Sequence, residues 1–144
     1  MLRSTRIFLV AAAGATYCQA AFAQHGDFAP KVQLILDYLR DSGEPCVSPQ
    51  ISGVRPFKAC REGPDNTVLT IVTRLPVRDD DGAVVDRCSA KLTATRVADF
   101  RGVNMDVSAP ECPARTLRSG EFSPIFVRII LELADWVQKK EKPI

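Results

Sequence analysis

Histidine is the side chain most often asked to move protons, and this chain has one, His25. It lies at the start of the expected mature chain, on a segment that composition marks as a tail. Ser-His, Cys-His and paired-histidine schemes therefore lack a base. None of the five cysteines sits in C-x-x-C spacing, so a zinc site would also lack its usual ligands. Carboxylates are the next candidates. Asp79, Asp80 and Asp81 run straight into Gly82; three consecutive side chains cannot point into one site, and Asp-Gly is hairpin-tip chemistry. Glu44, Glu62, Asp65, Asp106 and Glu111 are the acids from which a glycosidase-like pair could be assembled, but no spacing selects two of them. No glycine-rich phosphate loop follows a strand, and no aromatic platform for single-stranded nucleic acid is present. The sequence thus implies no cofactor, no metal and no catalytic constellation.

What the chain does carry is an address. Arg3 and Arg6 open a basic start, residues 7–15 are apolar, and Ala21-Phe22-Ala23 precedes Gln24 as an A-x-A cleavage pattern. This reads as a secretory signal peptide over residues 1–23, too short in its apolar run to span a bilayer well. The mature chain is then residues 24–144, one domain by length. Of 19 Lys and Arg, Arg3 and Arg6 leave with the leader, and 17 remain against 17 Asp and Glu. A neutral chain gives no bulk attraction to nucleic acid or anionic membrane. No second stretch is long enough to span a membrane. The short Ala-rich leader and the preference for Arg over Lys point to a bacterial envelope, so the expected location is the periplasm or outside the cell.

Export also decides how the cysteines are read. Cys18 departs with the leader, and Cys46, Cys60, Cys88 and Cys112 remain as two disulfides with three formal connectivities. Cys46 and Cys60 bracket the first half of an irregular Pro/Gly/Ser-rich stretch, residues 44–66, and local pairing would tie it down. The expected pairs are 46–60 and 88–112. Cys112 is out of phase with the apolar face of its neighbouring strand, but Pro110 allows the chain to bend and bring it round.

Periodicity supplies the elements. Val32, Ile35, Leu36 and Leu39 repeat at helical spacing after Pro30, with Gly43 as the stop. Residues 68–77 alternate, with Leu69, Ile71, Leu75 and Val77 on one side. Residues 83–97 return with Val84, Cys88, Ala90, Leu92 and Ala94 on one side. Residues 102–108 alternate again, and residues 54–59 offer a fourth short strand. Ser123-Pro124 predicts a helix start, followed by a broad apolar face that includes Phe126, Ile130, Leu133 and Trp136. The expected fold is α+β: a three-stranded antiparallel sheet packed on one face by N- and C-terminal helices.

Setting Val77 against Val84 aligns the apolar faces of the first two strands. It places Arg74 opposite Arg87 and Thr70 opposite Lys91, with Ser89 between them. Like charges across a ladder are mildly destabilising. A face holding Arg74, Arg87, Lys91, Thr70 and Ser89 is therefore the expected binding surface for an acidic protein or another anionic envelope component. The functional expectation is a non-enzymatic exported binding protein, such as an inhibitor, immunity protein or envelope adaptor. The alternative is a small secreted hydrolase using carboxylates and arginine, with its site in the 46–66 loop. Oligomeric state is not readable at this level.

Overall fold

The computed structural model describes residues 28–63, 67–97, 102–118 and 120–141. Residues 1–23, the expected leader that includes Cys18, lie outside the described residues, as do His25 and Asp65. In chain order the elements are α1 (Phe28–Ser42), β1 (Cys46–Val47), β2 (Phe57–Glu62), β3 (Val68–Arg78), β4 (Val84–Arg96), β5 (Val103–Ser108), α2 (Ala114–Arg118) and α3 (Phe122–Glu141). The α+β class stands, but the sheet has five strands rather than three, in the order β1-β2-β3-β4-β5, every neighbouring pair antiparallel. β1 escapes sequence reasoning because two residues cannot display a period. β2 starts at Phe57, later than the 54–59 estimate.

Both long helices follow the expected stripes. Val32, Ile35, Leu36 and Leu39 of α1 and Phe126, Ile129, Ile130, Leu133 and Val137 of α3 are all essentially inaccessible. They share one core with Leu69, Ile71, Leu75, Ala90, Leu92, Ala94 and Met105 of the sheet, and α1 and α3 also contact each other. Gly43 ends α1 with φ 76°, the left-handed conformation that only glycine adopts without a Cβ penalty, and its amide bonds the Arg40 carbonyl at 3.2 Å. α3 begins before the expected Ser123 cap: the Ile125 amide donates to the Glu121 carbonyl. Pro124 therefore falls in the third helical position rather than the first. It is tolerated there because first-turn amides have no acceptor within the helix. The five-residue α2, entered through Pro113, is too short to show a stripe.

The β3–β4 register differs from the expected one by two residues. Arg74 faces Ser89, Ile71 faces Leu92 and Leu69 faces Ala94. Two local events produce this offset, each worth one residue. Arg78 rather than Val77 pairs with Val84, and Val85 is passed over as a bulge between Asp86 and Val84. One such slip alone would have turned every side chain to the wrong face; two restore the parity. The turn chemistry explains the longer loop. The Asp79 carboxylate accepts from the Asp81 and Ala83 amides at 2.9 and 3.0 Å, and the Asp79 amide donates to the Ala83 carbonyl. Val84, expected inside, is 41% exposed, because the bulge carries the strand end off the core.

Backbone hydrogen bonds at three ladder ends fix which edge each residue faces. Arg96 donates to the Thr67 carbonyl, Val97 to Gly102 and Arg61 to Pro45. By alternation, odd-numbered residues of β3 bond β4, odd-numbered residues of β4 look toward β5, and even-numbered residues of β5 bond β4. Pro76 consequently directs its missing amide away from β4, toward the margin where β2 has already ended at Phe57. This is the edge position a proline can occupy.

Both expected disulfides form: Cys46–Cys60 and Cys88–Cys112. Cys46 and Cys60 are direct cross-strand neighbours with Cα atoms 4.0 Å apart, in a non-hydrogen-bonded pair, where antiparallel strands approach most closely. Cys112 reaches Cys88 through the turn closed by its amide on the Ala109 carbonyl. The bridges close sequence separations of 14 and 24 residues, worth about 3 and about 3.5 kcal/mol on the chain-entropy model. Replacing either pair by alanine should lower unfolding free energy in urea by about 3 kcal/mol, and the Cys46/Cys60 variant should additionally speed hydrogen exchange at the Arg61 amide. A loss below about 1 kcal/mol from either pair would show that the bridge does not constrain the unfolded chain as this model requires.

Candidate functional site

The outer face of the sheet is where the cations gather. Reading across the strands, Lys58, Val72, Lys91 and Ser108 form one row, and Arg74 and Ser89 the next. Arg87 follows opposite Pro76. Lys58, Arg74, Arg87 and Lys91 are all exposed, and among the described residues none of them lies in an ion pair. The ion pairs that form lie elsewhere: Arg40 with Asp37 and Asp41, Arg78 with Glu121, Arg115 with Asp80, Arg128 with Glu132, and Lys139 with Asp135. The other half of the same face is hydroxyl-rich and mildly acidic. Thr70 and Thr93 face each other there, next to Asp106, with Glu62 and Asn104 in the following row.

Sequence reasoning placed five residues at this site, and the structure distributes them unevenly. Arg74, Arg87 and Ser89 line one cleft of about 500 Å3 with Asp86, Cys88, Glu111 and Pro113. Lys91 lies two residues along β4 on the same face, opposite Val72 rather than Thr70. Thr70 faces Thr93 and is buried, its hydroxyl donating to Glu62 at 3.3 Å. Arg74 and Arg87 are diagonal neighbours, not a direct pair, so the repulsion expected between them is relieved. Lys58 was missed because β2 had no clear period; its pairing with Val72 is visible only once that strand is in place.

The cleft sits where β4 outruns β5, whose pairing begins only at Lys91. Its margin would otherwise be bare backbone. Instead, Arg74 donates to the Arg87 carbonyl at 3.1 Å, and the Asp86 carboxylate accepts from the Arg87 amide at 2.8 Å. The Cys112 sulfur, which carries no proton in the disulfide, rests 3.5 Å from the Ser89 carbonyl. The corresponding margin of β3, beyond the end of β2, is closed the same way. Arg55 donates to the Arg74 carbonyl at 2.7 Å, and Pro76 has no amide to satisfy. Side chains thus occupy several of the backbone groups through which a foreign strand would bind.

No carboxylate of the described residues is buried. Glu121 is held below the ordinary glutamate range, first by its hydrogen bonds from Arg78. The Arg78 guanidinium grips it with Nε and Nη2 at 2.9–3.1 Å while Nη1 bonds the Gly82 carbonyl at 2.8 Å. One side chain therefore ties the β3–β4 turn to the start of α3. Among the described residues no group of three or more His, Cys, Asp or Glu could hold a metal ion. No helix of the described residues is long and apolar enough to cross a membrane.

Comparison with protein-family models, with curated proteins and with solved structures yields no match.

The Arg78–Glu121 contact has a signed pH dependence. A carboxylate with a lowered folded-state pKa stabilises the fold above its unfolded value, and that contribution disappears as pH falls through the folded value. Glu121→Gln should be less stable than the parent near neutrality, and the difference should shrink on acidification below the ordinary glutamate range. Urea midpoints of the two proteins measured across that range check this. A constant difference would mean that the ion pair does not distinguish folded from unfolded chain.

Proposed function

We propose that the chain is an exported, non-enzymatic binding protein whose outer sheet face receives an acidic protein or another anionic envelope component. In this reading residues 1–23 deliver it to the periplasm or outside the cell and are removed, and the two disulfides brace what remains. An inhibitor, an immunity protein or an envelope adaptor would each fit. The observation that carries the reading is the grouping of Lys58, Arg74, Arg87 and Lys91, exposed and without ion pairs on one face, while other cations of the fold find carboxylates. Cations grouped on one half of a face and left without ion pairs give it electrostatic complementarity to an oppositely charged partner. The two disulfides hold that face in a fixed shape, which lowers the ordering cost of association.

The secreted-hydrolase alternative asks for a carboxylic acid kept neutral by its surroundings. Among the described residues no carboxylate is buried. Glu62 and Glu111, two of the acids offered for such a pair, are both exposed, Glu62 accepting from the Thr70 hydroxyl and Glu111 lining the cleft beside Arg74 and Arg87.

Arg87→Ser with Lys91→Ser removes two of the charges and leaves the carbonyl cap supplied by Arg74 in place. Capture from native envelope extract should return a stoichiometric partner on the parent domain. The double variant should bind that partner about tenfold more weakly, with parent affinity falling as salt rises. Equal affinity of parent and variant for the captured partner would remove the outer face as the binding surface.

A further inference from the structure

The cleft beside β4 is lined by charges of both signs, Arg74 and Arg87 together with Asp86 and Glu111, and by the Ser89 hydroxyl. All five residues are exposed. Among the described residues, none of the four charged groups closes into an ion pair, although they line one space of about 500 Å3. Arg115, a cation close to Glu111 in the chain, is engaged by Asp80 instead. Two of the four are partly committed to backbone: Arg74 donates to the Arg87 carbonyl, and Asp86 accepts from the Arg87 amide. The Arg87 guanidinium and the Glu111 carboxylate have no such commitment among the described residues. The second disulfide fixes how the two walls stand. Cys88 lies between Arg87 and Ser89, Cys112 lies between Glu111 and Pro113, and the bridge holds their Cα atoms 5.3 Å apart. The wall that carries Glu111 is thereby pinned to the strand that carries Arg87.

We infer that this cleft receives a segment of mixed charge from the partner protein: an acidic and a basic side chain two residues apart on an extended stretch. The acid docks at Arg87 and Ser89, and the base docks at Glu111 and Asp86. The inference rests on the binding role proposed for the outer face and narrows it. A lone carboxylate seated at Arg87 also meets the uncompensated Glu111 carboxylate across the cleft, and like charges repel. A cation brought in beside it turns that repulsion into attraction. The cleft therefore selects through an unfavourable contact with the wrong partner as well as a favourable one with the right partner. Spacing supports the same occupant. Two residues of an extended chain span about 7 Å, and their side chains fall on one side of it. That separation is commensurate with a cleft of about 500 Å3. Because a covalent bridge joins the walls, little further ordering is asked of them on association.

The test titrates the mature, oxidised chain with short peptides blocked at both ends, up to about 10 mM, the range in which one or two ion pairs bind measurably. The peptides carry Asp-Gly-Lys, the reverse order Lys-Gly-Asp, the acid alone as Asp-Gly-Ala, or the base alone as Ala-Gly-Lys. Amide chemical shifts of Arg87, Ser89 and Glu111 report binding. One of the two mixed peptides should bind about fivefold more tightly than Asp-Gly-Ala. Glu111→Gln should bind Asp-Gly-Ala more tightly than the parent does, and its preference for the mixed peptide should shrink to about twofold. Arg87→Ser should weaken mixed and acid-only peptides alike. Both positions are exposed, and circular dichroism confirms that each variant is folded. If Asp-Gly-Ala binds the parent as tightly as either mixed peptide, or if the preference survives Glu111→Gln, the mixed-charge inference fails while the anion-binding face stands. If Ala-Gly-Lys binds most tightly, or no peptide moves these three amides, the inference falls together with the role given to this part of the face.

Discussion

Every other element answers to the β3–β4 ladder. It pairs eleven residues of β3 with β4, and its inner side chains, Leu69, Ile71, Leu75, Ala90, Leu92 and Ala94, leave almost no surface to water. Apolar area of that extent must be covered, and it is α1 and α3 that cover it. At about 25 cal/mol for each Å2 withdrawn from water, burial on this face is the dominant favourable contribution. Thr73 is the polar exception on the inner side; its hydroxyl donates to the Pro56 carbonyl at 2.8 Å, so it is buried without an orphaned group. With one face committed to the core, the outer face is free to carry charge.

The length of that ladder creates its own difficulty. β3 and β4 extend past β2 and β5 at one end, so each presents bare backbone over its last residues. The fold answers with side chains rather than with further strands. Arginines reach sideways to carbonyls, an aspartate folds back on the next amide, and a proline stands where a donor would have been exposed. Arg74 serves in two capacities: its guanidinium satisfies a carbonyl at the margin and adds positive charge beside the cleft. Structural need and surface chemistry are thereby coupled in one residue, and this is why sequence alone could not separate the two roles.

Much of the architecture was readable because it rests on local periodicity. The stripes of α1 and α3, the alternation of β3, β4 and β5, and both disulfide pairs are all recovered, since apolar spacing and chain proximity decide them. What was not readable depends on distance. β1 is too short to have a pattern, β2 emerges from an irregular stretch only through its ladder with β3, and the bulge at Val85 has no marker in residue type. The candidate face survived the register error because two single-residue shifts cancel in parity. Arg74, Arg87 and Ser89 still share a surface, whereas pairings such as Thr70 with Lys91 do not. Burial of Thr70 follows from its neighbours in three dimensions, which a strand pattern cannot supply.

The contact of Cys112 with the Ser89 carbonyl extends the second disulfide's reach beyond the two residues it joins. The bridge holds the segment carrying Cys112 along the flank of β4, next to the carbonyl that Arg74 caps and the amide that Asp86 folds back on. A covalent link and two side-chain caps thus guard neighbouring positions of one strand, so reducing the chain would loosen that flank without stripping it.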